Sequence, residues 1–164
     1  MNKKTEVDHA EIRFGQIMVI LSMSAAYITA SWEIVAIVGI FFLLASISFR
    51  IGPFNNIYRL LFKATGVIKP DMRIDNMEPH RFGQAVGFVT AAIAAGLIFT
   101  GFANAGWIVV WILIALTALS YSGWCVGCFI YYMLNKLGLG GFFSHSPTDK
   151  SVITGARPRR SSVL

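Results

Sequence analysis

Residues 82–135 read FGQAVGFVTAAIAAGLIFTGFANAGWIVVWILIALTALSYSGWCVGCFIYYMLN, and no Lys, Arg, Asp, Glu or His interrupts them. A helix crosses the hydrocarbon of a bilayer in roughly 20 mostly apolar residues, so this run is too long for one crossing and long enough for two. It divides at Phe102-Ala103-Asn104-Ala105-Gly106, where small and polar residues favour a turn. Upstream, residues 14–32 and 34–49 form two more uncharged runs, parted only by Glu33. The pattern predicts an all-α integral membrane protein with four spans, at about 14–31, 34–50, 83–102 and 106–133. The composition agrees: 55% of the 164 residues are hydrophobic and 13% are charged, which is far from the balance of a soluble domain. Two other readings compete with a four-span protein. Buried helices of a soluble core are also apolar, and Lys3-Lys4 before an apolar run resembles a cleaved signal peptide. An internal repeat, described next, argues against the signal peptide.

The tetrapeptide Arg-Phe-Gly-Gln occurs at residues 13–16 and again at 81–84. Each copy opens a pair of apolar runs. Each pair closes alike, Arg50-Ile51-Gly52-Pro53-Phe54 matching Cys125-Val126-Gly127-Cys128-Phe129. Two landmarks in the same order indicate a duplicated hairpin, with repeat one at about 13–63 and repeat two at about 81–136. Both copies run in the same direction, so they are parallel repeats about an axis along the membrane normal. Residues 1–137 then form a single membrane domain, and residues 138–164 a cytoplasmic tail expected to be disordered.

All 14 Lys and Arg fall within residues 1–13, 50–81 and 136–164. Segments rich in these residues stay on the cytoplasmic side, so both termini and the central connection face inward. Trp32 and Trp107 fall at the outer interface, and Trp124, Tyr131 and Tyr132 near the inner one. The net charge of +6 suits an anionic inner leaflet and is no argument for nucleic acid. Phe54, Ile57, Tyr58, Leu61 and Phe62 alternate at helical spacing with Asn55, Asn56, Arg59 and Lys63, a pattern for a basic amphipathic helix lying in the inner interface. Residues 71–78 read as a polar loop, with Pro79 opening the third span. In that span Gly83, Gly87, Ala91 and Ala95 recur every four residues, a stripe that lets helices approach closely within the chain or between two copies.

Cys125 and Cys128 are the only cysteines. Four readings apply to them. A Cys-x-x-Cys dithiol supports thiol–disulfide exchange or sulfur transfer, and its thiols often ionise easily. Symmetry between the repeats brings Arg50 opposite Cys125, with Arg13 and Arg81 at the neighbouring helix starts, and this cluster would stabilise a thiolate or another anion. A metal site needs more ligands, usually four for zinc, and only His80 lies at the same level, so no metal is expected. Covalent haem needs His after the second Cys, and Phe129 stands there. Finally, Cys packs well in helix seams without doing chemistry. In a reducing cytosol the pair rests as thiols.

Gln16 and Gln84 sit just inside the spans, either as a pair near the axis or bonding helix ends. His9 and His145 lie in the termini and are expected to face water, and Glu33 sits at an outer turn. No span carries a charged residue at mid-depth, which argues against an ion-coupled transporter but leaves open a passive route for small anions or solutes. No phosphate loop, nucleophile triad or metalloprotease motif occurs, and no cofactor is expected.

At Arg81-Phe82-Gly83-Gln84 and Trp124-Cys125-Val126-Gly127-Cys128-Phe129-Ile130-Tyr131 the chain resembles a family of small bacterial membrane proteins of unknown function. These share an Arg-Phe start to each hairpin, a Gly-Pro end to the second span and a Cys-x-Gly-Cys end to the last. The resemblance covers about residues 8–136. It implies a multi-pass protein of the bacterial inner membrane, a thiol role for Cys125 and Cys128, and a setting alongside thioredoxin-like or sulfur-transfer proteins. Thiol exchange or sulfur handling is the leading expectation. A non-catalytic accessory subunit of a larger membrane complex is the alternative, and a passive solute pathway is weaker.

Overall fold

The computed structural model describes residues 5–48, 51–63, 68–75 and 77–137. The tail expected to be disordered, His145 and Arg50 lie outside them. Chain order is β1 (Thr5–Asp8), α1 (His9–Ile28), α2 (Trp32–Ile47), α3 (Pro53–Ile57), a π-helical segment (Tyr58–Lys63), β2 (Met72–Asp75), α4 (Met77–Phe99), α5 (Ala103–Ser122) and α6 (Val126–Lys136).

Four long helices close a ring: α2 packs on α4, α4 on α5, α5 on α1, and α1 on α2. Each gives three residues to one core: Val19, Met23 and Ala26; Val35, Val38 and Phe42; Ala91, Ala94 and Ala95; Val110, Leu113 and Ile114. The small-residue stripe of α4 is used inside the chain. A Cβ on Gly87 would lie 3.2 Å from the Phe42 ring, and one on Gly39 of α2 would lie 3.3 Å from Ala91 Cβ. Small side chains here let α2 and α4 approach closely. The outward faces are also apolar. Leu21, Ile40, Val89, Ile93, Ile108 and Ile112 are all exposed, where a soluble bundle would show polar residues. By length and composition two helices, α4 and α5, are able to cross a membrane. α2 is as apolar but spans 16 residues.

The ends of the ring differ. At one, α1 stops at Thr29 and Ala30 takes a left-handed φ of 50°. There α4 turns into α5 through Gly101, φ 91°, with Phe102 N–H donating to the Leu97 carbonyl in a Schellman closure. Aromatic contacts line this end, Tyr27 against Trp107 and Trp111, and Trp32 against Phe99. Just beyond the turn, a Cβ on Gly106 would run into Ile98 and come within 2.9 Å of the Ala94 carbonyl oxygen. The Ala94 oxygen and the Ile98 backbone nitrogen, 3.0 Å away, are backbone of α4 and cannot swing aside. Gly106→Ala is expected to cost about 1–3 kcal/mol, read as a lower midpoint of thermal unfolding in detergent. An unchanged midpoint would mean that α4 and α5 are not held this closely.

The other end departs from the sequence reading in three ways. First, it is not purely helical. β1 and β2 pair antiparallel, Thr5 opposite Asp75 and Asp8 opposite Met72, so part of the expected 71–78 loop is a strand. Asp8 ties the corner together. Its carboxylate caps α1 at Ala10 N–H and accepts from Asp71 N–H and the Tyr58 hydroxyl. Second, the last span does not run to 133. α5 ends at Ser122 because Gly123 adopts φ 115° and Trp124 N–H closes back on the Leu119 carbonyl. Cys125 therefore precedes α6 rather than sharing a helix face with Cys128. Third, the amphipathic segment over 54–63 is a short α-helix running into a π-helix, with its faces mixed. Tyr58 and Asn55 are buried, and Arg59 pairs with Glu11 of α1 at 2.8 Å. Leu60 (74% exposed) and Leu61 point outward. An inward Arg59 is satisfied by a buried carboxylate, and the helix rotates accordingly.

Candidate functional site

Cys125 is the residue before the first turn of α6, and its sulfur accepts the Cys128 backbone N–H at 3.3 Å. It thereby caps a helix N-terminus, where unpaired N–H groups and the helix dipole favour negative charge. Phe129 N–H donates to its carbonyl at 2.9 Å and completes the turn. Cys128, one turn further on, is buried and Cys125 half-buried. The two thiols are thus unequal. Hydrogen bonding from Cys128 holds the Cys125 thiol down at about 6, against the cost of burial and helped by His80 and Ser120. The same hydrogen bond and burial push Cys128 upward, so it keeps its proton. Cys125 lies past the end of α5, outside the helices long enough to cross a membrane.

Behind Cys128 stands a chain of polar groups. His80 Nδ1 lies 3.8 Å from Cys128 Sγ, and its Nε2 lies 3.0 Å from Asp75 Oδ2. The same carboxylate oxygen is 3.0 Å from His9 Nε2. His9, His80 and Asp75 each offer a metal-ligand atom within 4.8 Å of the other two. The order is thiol, imidazole, carboxylate, imidazole, contributed by α6, α4, β2 and α1. Tyr131 of α6 donates to Glu78 at 3.1 Å and packs on Phe82, fixing α6 against the start of α4. Closest of all is the glycine crossing, where a Cβ on Gly127 would lie 2.7 Å from Gly83 Cα.

In front of Cys125 a cavity of about 150 Å³ enters the bundle, lined in part by Gly83, Gln84, Thr117, Ser120 and Gly127. Gln16 borders it. Its Nε2 donates to Ser120 Oγ at 2.7 Å, while its Oε1 is buried without a partner. Gln16 and Gln84 thus both face this interior space.

Of the three arginines, Arg50 lies outside the described residues and the other two have partners of their own. Arg81 donates to the Ser46 and Ile47 carbonyls at 2.8 and 2.7 Å, closing the C-terminus of α2. Arg13 lies over the Tyr121 ring, 5.5 Å from its centroid. Among its neighbours, His80 helps hold the Cys125 thiol down.

Residues 7–136 match the model of a family described as a domain of unknown function, DUF4395. The chain belongs to the DUF4395 family. Among curated proteins and among solved structures, nothing matches it significantly. The DUF4395 match runs from β1 to the last residue of α6. His9, Asp75, His80, Cys125 and Cys128 all fall within it.

His9 overturns an expectation, since it is 2% exposed rather than solvated. Asp75 was not singled out at all. A signal existed: Met72-Arg73-Ile74-Asp75 alternates apolar and polar residues, the period of a strand. Pairing of this segment with Thr5–Asp8 is what carries His9 to Asp75.

Proposed function

We propose that this is a four-span inner-membrane protein that exchanges thiols for disulfides at Cys125 and Cys128, on the cytoplasmic side. The observation that carries the reading is the unequal pair: a half-buried thiol whose sulfur caps α6, with a buried thiol one turn behind, an arrangement that favours the thiolate at Cys125 and the thiol at Cys128. Cys125 thiolate attacks one sulfur of a substrate disulfide. That S–S bond breaks, the other substrate sulfur leaves as thiolate and takes a proton from water, and a mixed disulfide forms. Cys128 then gives its proton to His80 Nδ1 and attacks Cys125 Sγ. The second substrate sulfur leaves and takes up that proton. The substrate disulfide gains two electrons and becomes two thiols, while Cys125 and Cys128 become a disulfide. A thioredoxin-like dithiol protein running the same steps in reverse restores the pair. Asp75 orients His80 and balances its charge in the interval.

Membrane placement is supported by the outward apolar faces of all four long helices and by the location of every Lys and Arg in the two termini and the central connection. At 1.5 Å per residue the 16 residues of α2 reach about 24 Å, short for a span. The duplication is supported by matching contacts. α1 meets α3 where α4 meets α6, and the two Arg-Phe-Gly-Gln copies face them through Gly15 beside Asn55 and Gly83 beside Gly127. Exposed Ile57, Leu60 and Leu61 suit contact with the inner leaflet.

The deciding experiment is alkylation of the reduced protein in membrane vesicles across pH, with a membrane-impermeant maleimide. Labelling of Cys125 should rise with a midpoint near pH 6, because the thiolate is the reactive form and its hydrogen bonds favour it. It should already be maximal at pH 7.5, and should require inside-out vesicles. A midpoint near the ordinary thiol value of about 8.5 would reduce the pair to packing residues. Labelling from the outer face would reverse the orientation.

A further inference from the structure

We propose that His9, Asp75 and His80 form a binding site for a divalent transition metal of the zinc class. The site is built rather than incidental. Its three ligands come from the first residue of α1, the last of β2 and the first turn of α4, and the β1–β2 pairing holds two of those elements in register. One ligand atom from each lies within 4.8 Å of the others. A tetrahedral ion with bonds of about 2.0–2.2 Å sets its ligand atoms about 3.3–3.6 Å apart; here each histidine nitrogen lies 3.0 Å from the carboxylate oxygen, and small side-chain shifts bring the three into that range.

His9 separates a metal site from a hydrogen-bonded relay. Its Nε2 lies 3.0 Å from Asp75 Oδ2, yet the direction does not make a hydrogen bond, and that nitrogen is buried without one. His80 Nε2, by contrast, does hydrogen-bond the same oxygen. Two imidazole nitrogens thus converge on one carboxylate oxygen, and only the His80 nitrogen is placed to hydrogen-bond it. A cation between the three groups satisfies all of them. Burying an unpaired imidazole nitrogen costs free energy, and a metal removes that cost. Two imidazoles and a carboxylate are a donor set suited to zinc or iron(II), and three protein ligands leave a coordination position open.

Occupancy would also reach the thiols, a consequence that rests on the exchange reading above. With metal on Nε2, His80 keeps its proton on Nδ1, 3.8 Å from Cys128 Sγ. It then donates toward that sulfur and cannot take its proton, so the second exchange step slows while the first proceeds.

The test is titration of the chelator-stripped full chain in detergent with Co²⁺, followed by displacement with Zn²⁺. One equivalent should bind, giving visible d–d bands and no near-ultraviolet thiolate-to-cobalt charge-transfer band, because no sulfur is a ligand. His9→Gln and Asp75→Asn should each weaken binding about tenfold or more. The Cys125→Ser/Cys128→Ser protein should bind like wild type, which keeps this site's failure distinct from failure of the dithiol reading. No stoichiometric binding by the folded wild-type protein would overturn the proposal. So would a charge-transfer band that disappears with the cysteines, or affinity unchanged by both ligand variants. The charge-transfer criterion is read on wild-type protein and does not depend on any variant folding.

Discussion

If the proposed exchange is right, Cys125→Ser is expected to abolish it, whereas Cys128→Ser is expected to attack a disulfide partner once and stay bonded to it. The asymmetry follows from position. Cys125 is the half-buried thiol at the helix N-terminus, opening on the cavity; serine there has no thiolate and cannot form the mixed disulfide. Cys128 is buried behind it and acts only after the first bond has formed. Without it the intermediate has no internal nucleophile to release it. The check is non-reducing electrophoresis of each variant after exposure to a small disulfide-bonded thioredoxin-like protein. A persistent adduct is expected with Cys128→Ser alone. Adducts with Cys125→Ser and none with Cys128→Ser would reverse the assignment, and full exchange by the double variant would end it. Both serine variants keep the side-chain volume nearly unchanged, so insertion and folding are expected to survive.

Gly127→Ala is expected to give the largest single loss of stability at this end of the bundle, about 1–3 kcal/mol. The obstacle is backbone: the new Cβ would lie 2.7 Å from Gly83 Cα and 3.5 Å from Gly83 N. A side chain could turn aside, but here α4 and α6 must separate. His80 rides on α4 and Cys128 on α6, so their 3.8 Å contact lengthens with the helices. Two changes should therefore appear together, a lower unfolding midpoint and a Cys125 alkylation midpoint moved up toward the ordinary thiol range. Gly96→Ala on the same α4 helix is the control, because its Cβ would meet nothing within 4 Å; its unfolding midpoint should stay level or rise. Equal midpoints for Gly127→Ala and wild type would mean that the two glycines do not touch.

Much of this arrangement was legible in the residues, in proportion to how local its causes are. Apolar runs and the Glu33 and 102–106 breaks located all four long helices, because burial and turn chemistry act over a few residues. The stop at Gly123 was equally local: glycine after Ser122 offers a left-handed cap, and the unbroken lack of charge to residue 135 masked it. The thiol pair was visible as a motif, but its inequality was not, since that depends on Cys125 falling just outside the helix. Least legible was the histidine–aspartate cluster. His9 and Asp75 are far apart in the chain, and His9 sits where a terminus is ordinarily solvated. Only the strand pairing joins them, and each strand is four residues long. Nor does a repeat pattern reveal that Arg81 satisfies open carbonyls of α2, a local demand of a helix end.

The pairing of β1 with β2 also sets an order of events during synthesis. The first strand emerges from the ribosome before α1 and α2 exist and must wait, unpaired, until both have been made and Met72–Asp75 follows them. The thiols come later still, after α5. A growing chain thus holds His9, Asp75 and His80 before it possesses either sulfur, and the cysteine pair is added after them.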